Sequence, residues 1–147
     1  MLYFAYGSNL NHKQMAARCK DSSYIKKYNL KGFNLCFSHK TEQSKYGHAN
    51  VVKNKSLKVP GAIWDISKED ENELDVYEGV DYNYYQKKYF KINGKKVLIY
   101  IQKIYFKKKP NSTYLHTIIQ GYRDCGLDLN YLKRRIPRYR VKYKIDW

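Results

Sequence analysis

The alternation of apolar and polar positions divides the chain into short strands and helices from its first residues onward. Leu2, Tyr3, Phe4, Ala5 and Tyr6 are apolar or aromatic in succession, the pattern of a strand buried on both faces. Gly7 follows, permitting positive φ or close backbone approach, and Ser8 or Asn9 can cap a helix over residues 11–18. Residues 24–32 read as a connection, 32–37 as a half-buried strand and 38–47 as a polar loop. Further strands are expected at 49–52 and 59–66, separated by the turn-like residues 53–56, with Pro60 near a strand start where its missing N–H is tolerated.

Ser67 and Asp70 have the spacing of a capping box and predict a helix over 68–76, with Leu74 and Tyr77 facing inward and Glu78-Gly79 as its stop. Residues 85–92 and 96–105 alternate on either side of Asn93-Gly94, the strongest hairpin signal in the chain. Pro110-Asn111-Ser112 opens a helix over 113–124, in which Leu115, Ile118, Ile119 and Tyr122 recur at helical spacing before Gly126. A short helix over 128–135 follows. No internal repeat or linker-like stretch interrupts this series, so the expectation is an α+β fold of mostly antiparallel strands and a few short helices.

Length changes the picture little: 147 residues suffice for one domain with its own core. A mean hydropathy of -0.79 and the lack of a long apolar run exclude a membrane-spanning helix. The N-terminus has no secretion-signal pattern, and the expected location is cytoplasmic. Cys19, Cys36 and Cys125 are odd in number and far apart, which argues against a disulfide framework or zinc site. His12, His39, His48 and His116 have no metal-ligand spacing, so no metal is expected.

Charge raises a different possibility. The net charge is +16, and 29 Lys and Arg interleave with 17 Tyr, a composition that could track a nucleic-acid backbone and stack on bases. The lysines are dispersed, however; the densest patches are Lys107-Lys108-Lys109 and the stretch from Lys133 to Lys144. Attraction to nucleic acid is therefore expected to be nonspecific and salt-sensitive.

Two stretches carry candidate chemistry. The turn Tyr6-Gly7-Ser8-Asn9-Leu10 presents backbone N–H groups at a strand-to-helix junction, where a carboxylate or phosphate can bind, although an ordinary capped turn has the same spacing. Glu78 sits at a helix end among Tyr77, Tyr82, Tyr84 and Tyr85, where burial would raise its pKa toward general-base range; a solvated glutamate in a last helical turn is the plainer alternative.

With Gly61-Ala62-Ile63-Trp64, Leu74-Asp75, Glu78-Gly79-Val80, Pro110, Ser112, Tyr114, Ile118-Ile119, Gly121, Gly126-Leu127 and Tyr131, the N-terminal turn resembles the gamma-glutamylcyclotransferase family in order and spacing through about residue 133. The resemblance implies a small mixed β-barrel with helices outside and a cavity where the first turn meets the acidic loop. It implies cyclisation of a gamma-glutamyl group to 5-oxoproline with release of an amino acid or amine, no cofactor, and Glu78 as general acid and base. Backbone amides of Gly7, Ser8, Asn9 and Leu10 would hold the substrate α-carboxylate, with Tyr6, Tyr85 and Tyr114 lining the pocket or donating to the reacting groups. The whole chain, 1–147, reads as one such domain, with 134–147 a basic extension beyond the resemblance. The leaving group and the choice between monomer and homodimer stay open, and so does an idle scaffold that serves as a basic nucleic-acid-binding module.

Overall fold

A computed structural model describes residues 1–136. Its strands are β1 (Leu2–Ala5), β2 (Ser23–His39), β3 (His48–Asp65), β4 (Gln86–Ile92), β5 (Lys95–Ile101) and β6 (Phe106–Lys107), and its helices are α1 (His12–Arg18), α2 (Lys68–Tyr77), α3 (Ser112–Cys125) and α4 (Leu129–Arg135). The strands form a single mixed sheet in the order β4-β5-β1-β3-β2-β6. β1 is central, antiparallel to β3 and parallel to β5, as its uninterrupted apolar run requires.

The sheet curls into a half-barrel. Phe90 on the edge strand β4 stacks on Tyr28 of β2 at 6.3 Å and meets Phe4 of β1 edge-on at 6.0 Å, so strands distant in the sheet order face one another through the core. Where the end of β5 approaches β3, a side chain takes over from strand pairing. Asn50 donates to the Gln102 carbonyl at 3.1 Å and accepts from the Gln102 N–H at 2.9 Å, while Ser38 donates to the Gln102 side chain at 2.8 Å. All three residues are buried, so each polar group needs these partners. Leu10, Leu74, Leu98, Leu115, Ile118, Tyr122 and Leu132 fill the core between sheet and helices.

Local sequence accounts for most elements. The Ser67–Asp70 capping box is fully formed at the start of α2. Asn93 and Gly94 both have positive φ, 49° and 79°, as the β4–β5 hairpin turn demands. Asn111 and Asp128 cap α3 and α4 through side-chain acceptors.

Five expectations are corrected. Residues 24–32 are strand rather than connection: β2 runs unbroken past them, paired to β3 from Ser23↔Asp65 to Ser38↔His48, so Ser38 is also no loop residue. Strands 49–52 and 59–66 are one strand, and residues 54–57 are absorbed as an irregularity between the Lys31↔Lys58 and Phe33↔Lys53 pairs. The cap of α1 is Asn11, which accepts from the Gln14 N–H, instead of Ser8 or Asn9. Tyr77 is 54% exposed instead of facing inward. Most of the basic extension, from residue 137 on, lies outside the described residues.

Candidate active site

Three segments remote in sequence meet at one end of the half-barrel around a cavity of about 170 Å³: the turn after β1, the C-terminal end of α2, and the start of β3. Gly7 makes the approach possible. A Cβ on it would lie 2.9 Å from the Ala49 Cβ and 3.4 Å from the Tyr114 hydroxyl, whereas its φ of -123° is open to any residue; close packing, rather than positive φ, is what glycine provides here. Behind the turn, Gly121 of α3 serves the same purpose, since a Cβ there would meet Leu10 Cβ at 2.6 Å and Asn11 N at 2.7 Å.

Glu78 caps α2, its N–H bonded to the Leu74 carbonyl at 2.8 Å, and Gly79 takes φ 62° so that the chain can leave the helix and double back. This geometry points the carboxylate into the cavity, where Asn9 Nδ2 donates to Oε1 at 3.3 Å. The same Nδ2 donates to the Tyr3 hydroxyl at 3.0 Å, and Asn9 Oδ1 accepts from Gln14 at 3.1 Å and Arg18 at 3.1 Å. All the polar atoms of the Asn9 side chain are therefore engaged, which fixes its orientation. Although the Glu78 residue as a whole is only partly buried, its carboxyl is enclosed. Burial pushes its pKa up to about 7, with the Arg18 charge acting in the opposite direction.

The tyrosines converge on one peptide group. Tyr85 donates to the Ala49 carbonyl at 2.5 Å, Tyr6 donates to the Tyr100 carbonyl at 2.5 Å and reaches the Ala49 carbonyl at 3.5 Å, and Tyr114 Oη accepts from the Ala49 N–H at 2.9 Å. Burial holds all three phenols above their usual pKa, so they are neutral. Tyr6 and Tyr85 are wall residues with committed protons, whereas Tyr114, acting as acceptor in its bond to Ala49, has its own proton to donate.

Of the remaining expected residues, Ser8 accepts from Gln14 at 2.8 Å on the cavity rim. Leu10 is fully buried and outside the cavity lining, and its N–H is bonded to the Gly7 carbonyl at 3.1 Å, so that amide, expected to hold a carboxylate, is already engaged within the turn. Sequence reasoning missed Tyr3, Gln14, Arg18, His48 and Tyr100, all of which line the cavity. Arg18 and Gln14 lie one helical turn apart on α1, and that spacing next to the turn was the available signal. His48 is hydrogen-bonded to Tyr84 at 2.6 Å, and burial lowers its pKa, which favours the neutral ring. Among the described residues no group of three or more His, Cys, Asp or Glu could hold a metal, and no helix is long and apolar enough to cross a membrane.

A cavity that joins an N-terminal glycine turn to one buried glutamate can be compared with known proteins. The AIG2-like family model matches residues 58–134, a span that includes Glu78, Tyr85 and Tyr114. Human gamma-glutamylcyclotransferase is 30% identical over 142 residues, covering 90% of this chain and 76% of the human protein. The chain belongs to the gamma-glutamylcyclotransferase family. Another member, the bovine gamma-glutamylcyclotransferase, is 29% identical over the same shares of the two chains. A solved structure of a gamma-glutamyl cyclotransferase superposes with a TM-score of 0.79 at 30% identity, covering 90% of this chain and 84% of that one. The chain thus shares its curled α+β architecture with that structure.

Proposed function

We propose that this chain cyclises a gamma-glutamyl group to 5-oxoproline and releases the attached amine or amino acid, with Glu78 as the general acid and base. The observation that carries this reading is one carboxyl group, enclosed in a cavity and poised near pH 7, where a proton acceptor is also a competent donor. The nucleophile is part of the substrate, so the protein has only to fold it and move protons. Glu78 takes a proton from the α-ammonium group, and the freed lone pair attacks the γ-carbonyl carbon to form the ring C–N bond. The proton on Glu78 then passes to the leaving nitrogen as the original amide C–N bond breaks. The surplus proton on the ring nitrogen returns to the carboxylate and leaves to solvent.

In this reading the Gly7-Ser8-Asn9 turn receives the substrate α-carboxylate. Tyr114 donates to the carbonyl oxygen as charge develops on it, a type of contribution that commonly dominates such reactions. Tyr6 and Tyr85 hold the wall. The test is release of 5-oxoproline from a panel of gamma-glutamyl amino acids and amines by wild type and Glu78→Gln side by side. Turnover by wild type that the variant loses supports the proposal. Turnover that survives in Glu78→Gln removes Glu78 from the mechanism, and silence of the wild type across the panel removes the reaction.

A further inference from the structure

Arg18 projects from α1 onto the rim of the cavity. Its guanidinium lies 4.2 Å from the centre of the Tyr77 ring, and Nη1 donates to the neutral Asn9 Oδ1 at 3.1 Å. Among the described residues no carboxylate forms an ion pair with it. A guanidinium carries five N–H donors in a planar fork that matches a carboxylate, and here the ring and the amide fix the fork's orientation while most of its donors remain for a ligand.

The reaction chemistry says which carboxylate this is. The substrate's α-amino and α-carboxylate groups share one carbon, so a cation for the α-carboxylate has to lie within a few ångströms of the base that meets the α-amino group. Asn9 provides that bridge: one side of its amide holds Arg18, and the other reaches Glu78. Resting on the cyclotransferase reading above, we infer that Arg18 holds the α-carboxylate of the gamma-glutamyl group and so fixes its α-amino group at Glu78. The Gly7-Ser8-Asn9 turn then shapes the subsite, and Arg18 supplies its charge.

The experiment compares wild type and Arg18→Gln on three substrates: gamma-glutamylglycine, its analogue with the α-carboxylate converted to an amide, and gamma-glutamylmethylamide, whose leaving group has no carboxylate. Wild type is expected to lose about 100-fold in kcat/KM on the α-amide analogue and little on the methylamide. Arg18→Gln is expected to lose a similar factor on gamma-glutamylglycine, mostly in KM, with almost no further loss on the α-amide analogue. An equal loss in Arg18→Gln on substrates with and without the α-carboxylate would reduce Arg18 to a structural role. A wild-type penalty on the methylamide that Arg18→Gln does not share would instead assign Arg18 to the leaving group. If wild type turns over none of the three, the cyclotransferase reading fails, and calorimetric binding of 5-oxoproline, which keeps the carboxylate, decides Arg18 by itself: tight binding lost in Arg18→Gln supports the inference, and equal or absent binding in both forms overturns it. Circular dichroism melts of both forms confirm that the variant is folded.

Discussion

Asn9 Nδ2 donates to Glu78 Oε1 across 3.3 Å, and this bond ties the N-terminal turn to the end of α2, 69 residues away. It is the contact through which two separate motifs become one site. Asn9→Ala would remove the partner of Glu78 and release Arg18 and Gln14 together. The expected result is a loss of about 100-fold in kcat/KM, because small misplacements of reacting groups are that costly. Steady-state kinetics on a gamma-glutamyl amino acid, with a melting curve as control, measures it.

Glu78 also makes stability depend on pH. Burial raises its pKa from 4.5 to about 7, so between those values the folded protein binds a proton that the unfolded chain has released. Stability contributed by this group is therefore full below about pH 4.5 and declines as pH rises toward 7, by an amount on the order of 3 kcal/mol. Glu78→Gln should abolish that decline and melt above wild type at pH 8. Catalysis has the opposite slope: kcat/KM rises with pH through about 7 as the base ionises. Melting curves and pH–rate profiles from pH 5 to 8.5 test both halves.

Removing the Arg18 charge takes away the influence that lowers the pKa of Glu78. The acidic limb of the pH–rate profile should then move to higher pH in Arg18→Gln, and an unmoved limb would mean that the two groups do not feel one another in solution.

The three tyrosines around the Ala49 peptide should separate by phenotype. Tyr6→Phe and Tyr85→Phe each lose a buried hydrogen bond to a backbone carbonyl, with an expected loss of about 0.5–1.5 kcal/mol in stability and little change in kcat. Tyr114→Phe also leaves the Ala49 N–H without its acceptor, but in addition it removes the proton available to the reacting carbonyl, so kcat should fall by about 100-fold. Chemical denaturation alongside kinetics distinguishes the two patterns.

Gly121→Ala tests the support behind the turn. The added methyl would sit 2.6 Å from Leu10 Cβ and 2.7 Å from Asn11 N, too close for either α3 or the turn to stay in place. Loss of both stability and turnover is expected, by about 1–3 kcal/mol in the melt. A variant that keeps full activity would show that the turn relaxes without consequence.

What could be read from the sequence was local. The Ser67–Asp70 box, the Asn93-Gly94 hairpin and the left-handed glycine after Glu78 are short-range devices whose chemistry is complete within a few residues, and all three stand in the structure. The first half of β2 was not legible because its side chains are mostly exposed lysine, tyrosine and asparagine, so no buried face announces a strand; its pairing with β3 decides the matter. The turn and Glu78 could each be singled out, but not the distance between them. Arg18, His48 and Tyr100 enter the cavity only because the half-barrel curls, and that curl depends on contacts such as Phe90 with Tyr28 and Asn50 with Gln102, whose partners lie tens of residues apart.

The Ala49 peptide, gripped from three sides by tyrosine hydroxyls, has a consequence for how the enzyme meets its substrate. Such cross-bracing leaves that wall little freedom to rearrange, so its ordering is accomplished during folding instead of at each encounter. A site of this kind works as a mould and not as a hand that closes. On warming, turnover should persist until the whole structure gives way, with inactivation and global unfolding following a single curve.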